Sequence, residues 1–416
     1  LQKLKKNWED TMKKLLLAAT MLAGLTPAAF AQDTITLKFW DNQQTESGLS
    51  QYQQEAVKRF EAENPGIKIE VTTIPYPEFQ QRLLTAVQGG NAPDISTVDQ
   101  IWQGAFAEAG AIADLDAQAK AAGISSEGFF KGAWDSANYN GKLYGVPFNV
   151  DVWQFSFLNK ALFKEAGIDP ASISTFEGLK AAAEKLTDPA KGKYGVGLFG
   201  HKGEDTVAVL DSFIFSNGGK VLDENGKCAL TSPEAVGALE YLQTLVPFAP
   251  KGILNASSGD MRELFLNGSL AVEFWPALEQ PTLQKSKIDW DFENGTAPAG
   301  KTPVGTYGGW NLVVYKSSPH QEAAWKFIQF LTREDVNGAV VDLVPANVKA
   351  AKTFLEANRK GADKIMTHLQ NAQPRPLSAR YLEVSDIQVT LAQDVYSGAN
   401  AKEAAAKACA AIDGLN

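Results

Sequence analysis

An acid and a flat ring interrupt an apolar run at Val146-Pro-Phe-Asn-Val-Asp-Val-Trp-Gln-Phe155, where Asp151 and Trp153 stand among residues that read as buried strand. A buried carboxyl must find donors, from the chain or from a ligand. The same chemistries recur just after other predicted strands. Asn42, Gln43 and Gln44 follow the first strand and Tyr76 the second, while Asp99, with Trp102 close by, follows the third; His201 and Trp275 end two more. Amides, acids and tryptophans together suit a pyranose, whose vicinal hydroxyls need donors and acceptors and whose C–H face needs a ring. His201, His320 and His368 lie far apart, and no HExxH or CxxC appears, so zinc and haem are not expected. Nor is there a Gly-x-Ser-x-Gly elbow or a phosphate-cradling loop, and no cofactor is expected.

The elements that must position these residues are legible in the pattern. Ile35–Trp40 alternates as a strand; Leu49, Tyr52, Ala56 and Phe60 recur at helical spacing until Asn64-Pro65-Gly66; Ile67, Ile69 and Val71 alternate again. A second helix carries Phe79, Leu83 and Val87, with Pro77 in its first turn and Gly89-Gly90 as its stop, and Ala92–Asp99 is a third strand. This β-α-β-α-β order predicts a parallel sheet covered by helices, and such sheets bind ligands beyond the carboxyl ends of their strands. After Lys160 the alternation restarts, with strands at Tyr194–Phe199 and Leu270–Trp275. Pro298–Gly309 reads as a connection, Trp310–Tyr315 as a strand, and Val344–Asn347 as a short turn before a mainly helical C-terminal part. Two lobes are expected, one from residues 32–145 and 305–346, the other from 146–304 and 347–416, with Val146–Asn149 as hinge and Asp151 and Trp153 in the second lobe's cleft wall.

Met12-Lys13-Lys14, the apolar run Leu15–Phe30 and Ala29-Phe30-Ala31 read as a cleaved signal peptide, with residues 1–11 as an upstream extension. The reading places the chain in a periplasm. Cleavage after Ala31 removes five lysines and two acids and moves the net charge from −9 to −12. An acidic surface disfavours nucleic acid and anionic membrane. Cys228 and Cys409 are the only cysteines; the compartment permits a bridge between them, and spacing alone leaves open whether they form one.

Several stretches together resemble the extracellular solute-binding proteins of bacterial ABC sugar importers, the broad group that includes maltose-binding protein. They are Phe60–Ile67, Gly90–Ile95, Gly141–Pro147 with Leu158–Lys160, Gly308–Leu312, Ala323–Thr332 and Pro374–Pro376, in an order that covers nearly all of the chain after residue 31. The resemblance implies a two-lobed α/β fold of the periplasmic-binding type II class. Each lobe is then a mainly parallel sheet flanked by helices, and three chain crossings hinge the lobes about a central cleft. It also implies a monomer that captures a sugar, closes on it and delivers it to the transmembrane permease of an ATP-driven importer, with no catalysis. Carried across, Asn42, Gln43, Gln44, Asp99, Asp151, Gly309, Trp310 and Arg375 fall where such proteins contact ligand. Tyr76, Trp102, Trp153, His201 and Trp275 come from strand-end placement. The opening loop has amides where maltose-binding protein has an Asp and a Lys, so linear maltodextrins are not implied. An acidic or sulfonated sugar is the alternative if Arg375 faces the cleft with His201 and Lys202 nearby. A secreted glycoside-acting enzyme would instead need Asp99 and Asp151 roughly 5–9.5 Å apart.

Overall fold

The computed structural model describes residues 34–42, 50–341 and 343–415; the expected signal peptide, Gln43 and Gln44 lie outside the described residues. Alternation over β1 (Ile35–Asp41) buries Leu37 and Phe39, and α1 (Ser50–Glu63) covers them with Ala56 and Phe60. After β2 (Ile67–Thr73), α2 (Tyr76–Gln88) starts with a proline in its first turn, buries Phe79 and Leu83, and is capped at Gly89, whose N–H reaches Thr85 O. β3 (Ile95–Asp99) then lies parallel to β1, as β2 does on the other side. The predicted β-α-β-α-β unit is therefore present, and its strand ends leave Asn42 and Asp99 at one edge.

Apart from a short hairpin that pairs Asn138–Tyr139 with Lys142–Leu143, the remaining strands are β4 (Val146–Val152), β5 (Phe155–Asn159), β6 (Tyr194–Val196), β7 (Leu270–Trp275), β8 (Trp290–Glu293), β9 (Thr306–Val314), β10 (Val344–Pro345) and β11 (Gln373–Pro374). They complete two sheets. The larger runs β10-β4-β9-β3-β1-β2 with β11 alongside β9, and the smaller runs β8-β5-β7-β6. Two α/β lobes are thus present, but neither sheet is mainly parallel. β9 pairs antiparallel with β3 and β4, and in the smaller sheet only β6 and β7 are parallel.

Two boundaries differ from expectation. Val146–Asn149, expected as hinge, is wholly buried strand in the larger sheet, and so is Asp151, expected in the second lobe. The chain passes from one sheet to the other at Trp153-Gln154, where Gln154 takes φ +73°. The second correction concerns Pro298–Gly309, expected as connection, since β9 begins at Thr306. Gly309 hides the strand from a propensity reading, and it is required there. Its φ is +142°, and a Cβ would lie 2.2 Å from Asn149 O.

Helix α3 (Glu204–Ser216) is buried from Thr206 to its end and packs against α7 (Tyr381–Tyr396). Its hydroxyls hold the crossings. Ser212 Oγ accepts from Thr306 N at 2.9 Å, Ser216 Oγ accepts from Val304 N at 2.9 Å, and Ser216 Oγ donates toward Gln154 Oε1 at 3.3 Å. Two further helices of this lobe are α4 (Pro233–Leu245) and α8 (Ala401–Asp413), and the chain between α4 and α7 includes α5 (Gln321–Leu331) and α6 (Val348–Asn358). Cys228, just before α4, is bonded to Cys409 in α8 across a Cα separation of 5.1 Å. Both cysteines belong to the second lobe, so the bridge ties α8 down without crossing between lobes. The double variant Cys228→Ser/Cys409→Ser should lose about 2–5 kcal/mol of stability in urea unfolding. An unchanged midpoint would show the bridge to be energetically idle. Among the described residues no helix is long and apolar enough to cross a membrane.

Candidate functional site

The register of β9 brings the expected residues together. Running antiparallel beside β3, it sets Trp310 opposite Asp99, and on its other side Gly308 lies opposite Asp151. The first turn of α2 and the turn after β3 add Tyr76 and Trp102. Tyr76 and Trp102 stack with centroids 5.8 Å apart and planes within 14°, and Trp310 meets both edge-on at 5.9 and 5.5 Å. Phe79 backs Trp102 and Trp310. Trp102 and Trp310 are almost covered, whereas Tyr76 is 44% exposed and presents the group's open ring.

Beside the rings is an ionic cluster that joins the lobes. Asp99 is 7% exposed and accepts from Ile101 N at 3.2 Å. Arg375 Nη2 stands 3.7 Å from Asp99 Oδ1, and its Nη1 donates to Glu204 Oε2 at 2.7 Å. Glu204, the first residue of α3, also accepts from Tyr381 Oη at 2.7 Å and from Ser385 Oγ at 2.5 Å. The Arg375 side chain, held between Pro374 and Pro376 and only 9% exposed, therefore links an acid of the larger sheet to an acid of the second lobe. Burial pushes the Asp99 carboxyl up to about 6 despite the opposing charge of Arg375. Deeper in the same α3–α7 seam, Gln388 donates to Asp211, whose carboxyl burial pushes up to about 8.

The other expected residues are placed as follows. Asn42 follows β1 and accepts from Thr97 Oγ1 at 3.3 Å. Trp153 is half-buried at the crossing; its backbone N–H donates to Thr306 O, and its indole nitrogen lies near Gly308, 4.0 Å from where a Cβ would be. His201 Nε2 meets Asp205 Oδ1 at 2.6 Å beside the start of α3. Three residues take roles other than those expected. Trp275 is 0% exposed and packs on Phe157 and Phe265, because the last residue of β7 faces the helix-covered side of its sheet. Gly309 serves the close approach of β9 to β4. Asp151 finds its donors inside the protein: Oδ1 accepts from Val152 N at 2.7 Å and Ala277 N at 3.2 Å, and Oδ2 accepts from Leu278 N at 3.0 Å. It anchors the turn after β7 to β4, and burial pushes its carboxyl up to about 7 against those amides.

Glu204, Tyr381 and Ser385 were not singled out by the sequence. Only the placement of Glu204 at the head of an apolar helix marks it, and its partner lies 171 residues away. Gln100, next to Asp99, is 4% exposed, and its Nε2 has no hydrogen-bond partner among the described residues. Stacked rings beside an amide, a guanidinium and carboxylates can hold a hydroxylated ligand. No group of three or more His, Cys, Asp or Glu side chains placed to hold a metal occurs among the described residues.

A family model described as bacterial extracellular solute-binding protein matches residues 42–338. A Brucella abortus protein named as a binding protein is 27% identical over 378 residues, covering 87% of this chain and 90% of that protein. Among solved structures, a solute-binding protein of an ABC transporter from Thermotoga lettingae, bound to α-D-tagatose, is 27% identical with a TM-score of 0.76, covering 92% of this chain and all of that one. An ABC substrate-binding protein from Listeria monocytogenes in complex with cycloalternan is 25% identical, also with a TM-score of 0.76, covering 92% and 99%.

Proposed function

This chain belongs to the bacterial extracellular solute-binding proteins, and we propose that it captures a carbohydrate between its two lobes and hands it to the permease of an ABC importer. The observation that carries this reading is the pairing of the Tyr76–Trp102–Trp310 ring group with the Asp99–Arg375–Glu204 bridge at the lobe junction. A sugar lying on the open face of Tyr76 would present its hydroxyls to groups from both lobes. It would thereby favour the conformation in which those groups converge, and closure follows from that preference. The tagatose and cycloalternan carried by two similar proteins are consistent with a carbohydrate ligand. Export to the periplasm accords with the family and with the leader read in residues 12–31.

Binding without turnover is the expected behaviour. Both oxygens of Asp151 are engaged by main-chain amides, which leaves Asp99 without that residue as a free second carboxylate for glycoside chemistry. The test is titration calorimetry of the purified chain against monosaccharides, oligosaccharides and polyols, with product assays on any glycoside that binds. One-to-one binding and intact ligand support the reading; silence across the panel, or product release, removes it. Tyr76→Ala should weaken the bound sugar about tenfold or more, because the stacked ring is lost, while apo unfolding moves little at so exposed a position. Unchanged affinity would place the sugar elsewhere.

A further inference from the structure

The charges that converge on the lobe junction do not balance. Asp99 and Glu204 both approach the single guanidinium of Arg375. Asp205 follows Glu204, with one oxygen taking His201 Nε2 and Thr206 N and the other Ser258 N. Two carboxylates thus share one guanidinium, while the third, Asp205, is bonded elsewhere. Lys202, the other cation of that loop, is turned away to Asp386 at 3.0 Å with its side chain 75% exposed. An anionic ligand would have to draw Arg375 away from acids that burial already makes costly to leave unpaired. A cationic group would add the charge the junction lacks. The ring left open points the same way, since the face of Tyr76 attracts a cation. Two buried donors lie unpaired at the junction: Arg375 Nε and Gln100 Nε2 have no partner among the described residues, and Gln100 Nε2 lies beside Gly309 on the Trp310 strand, 3.0 Å from where a Cβ would be.

We propose that this site selects its sugar by charge, holding one that carries an ammonium group beside Asp99 more tightly than its neutral parent, and the parent more tightly than its uronate. The inference rests on the carbohydrate reading above and narrows it to basic sugars. It turns the expectation of an acidic or sulfonated ligand around, since Arg375 is engaged by the protein's own carboxylates.

The probes are matched sets of the 2-amino sugar, the neutral hexose and the hexuronate in the gluco, galacto and manno series, titrated calorimetrically into the full chain at low and moderate salt. In the series that binds best, the amino sugar should bind at least tenfold more tightly than the uronate, with a gap that narrows as salt rises. Asp99→Asn should bring the amino-to-neutral ratio close to one, and Glu204→Gln, a second variant should the first fold poorly, should reduce it. A uronate that binds as tightly as the amino sugar, or a ratio untouched by the variant that folds, overturns the proposal and leaves sugar binding standing. Silence from every member of every series removes the carbohydrate reading itself, and this inference with it.

Discussion

Replacing Asp151 with alanine is expected to cost about 3 kcal/mol or more of folding stability, because it strands the Val152, Ala277 and Leu278 amides in a dry interior at roughly 1–3 kcal/mol for each unmet group. The carboxyl is 5% exposed, so water cannot stand in for it without rearrangement. Its proton equilibrium adds a pH signature. Burial holds the folded-state value at about 7, above the ordinary 3.8, so the folded chain keeps a proton that the unfolded chain gives up. The stability this contributes is complete below about pH 3.8 and is lost as pH rises through about 7. Asp99, at about 6, and Asp211, at about 8, push in the same direction. Urea midpoints for the parent should therefore carry a component that declines from pH 4 toward pH 8, and Asp151→Asn should flatten part of it. A midpoint for Asp151→Ala equal to the parent's at pH 7 would refute the anchoring role.

Removing Arg375 should be comparably severe. In Arg375→Met the aliphatic bulk stays, but Asp99 and Glu204 lose their shared counter-charge while remaining largely buried, and breaking a buried pair on one side costs about 3–5 kcal/mol. Sugar binding should also be abolished, because the guanidinium bridges the two lobes. Adding Glu204→Gln to Arg375→Met should recover part of the stability, since one of the orphaned charges is then gone; the recovery measures the coupling directly. If the double variant is no more stable than Arg375→Met alone, the bridge is not what holds Glu204 in place.

Much of the larger lobe was readable from residue order, because its first three strands and two helices follow one another with short turns and their apolar periods are undisturbed. That route sets Asp99, Trp102 and Tyr76 just beyond strand ends, because a strand's carboxyl end is a local property. What local pattern could not carry was pairing. That Trp310 stands opposite Asp99 depends on a register between strands more than two hundred residues apart. The partner of Arg375 in the second lobe is likewise decided by how α3 packs on α7. Trp275 departs from expectation because a strand's last residue can face either side of its sheet, and here it faces the covered one. Asp151 was read correctly as a buried acid in need of donors; the donors proved to be the turn after β7, which no period in the sequence announces.

Helix α3 touches two places at once. Its first residue, Glu204, takes part in the bridge at the lobe junction, and Ser212 and Ser216, eight and twelve positions on, grip the backbone of the second crossing at Thr306 and Val304. At about 1.5 Å per residue those contacts lie some 12 and 18 Å from Glu204 along one rigid rod. The helix thus connects the proposed site to the crossing and is buried against α7. A displacement of Glu204 relative to Arg375 would therefore be carried along one helix to the contacts that hold the second crossing.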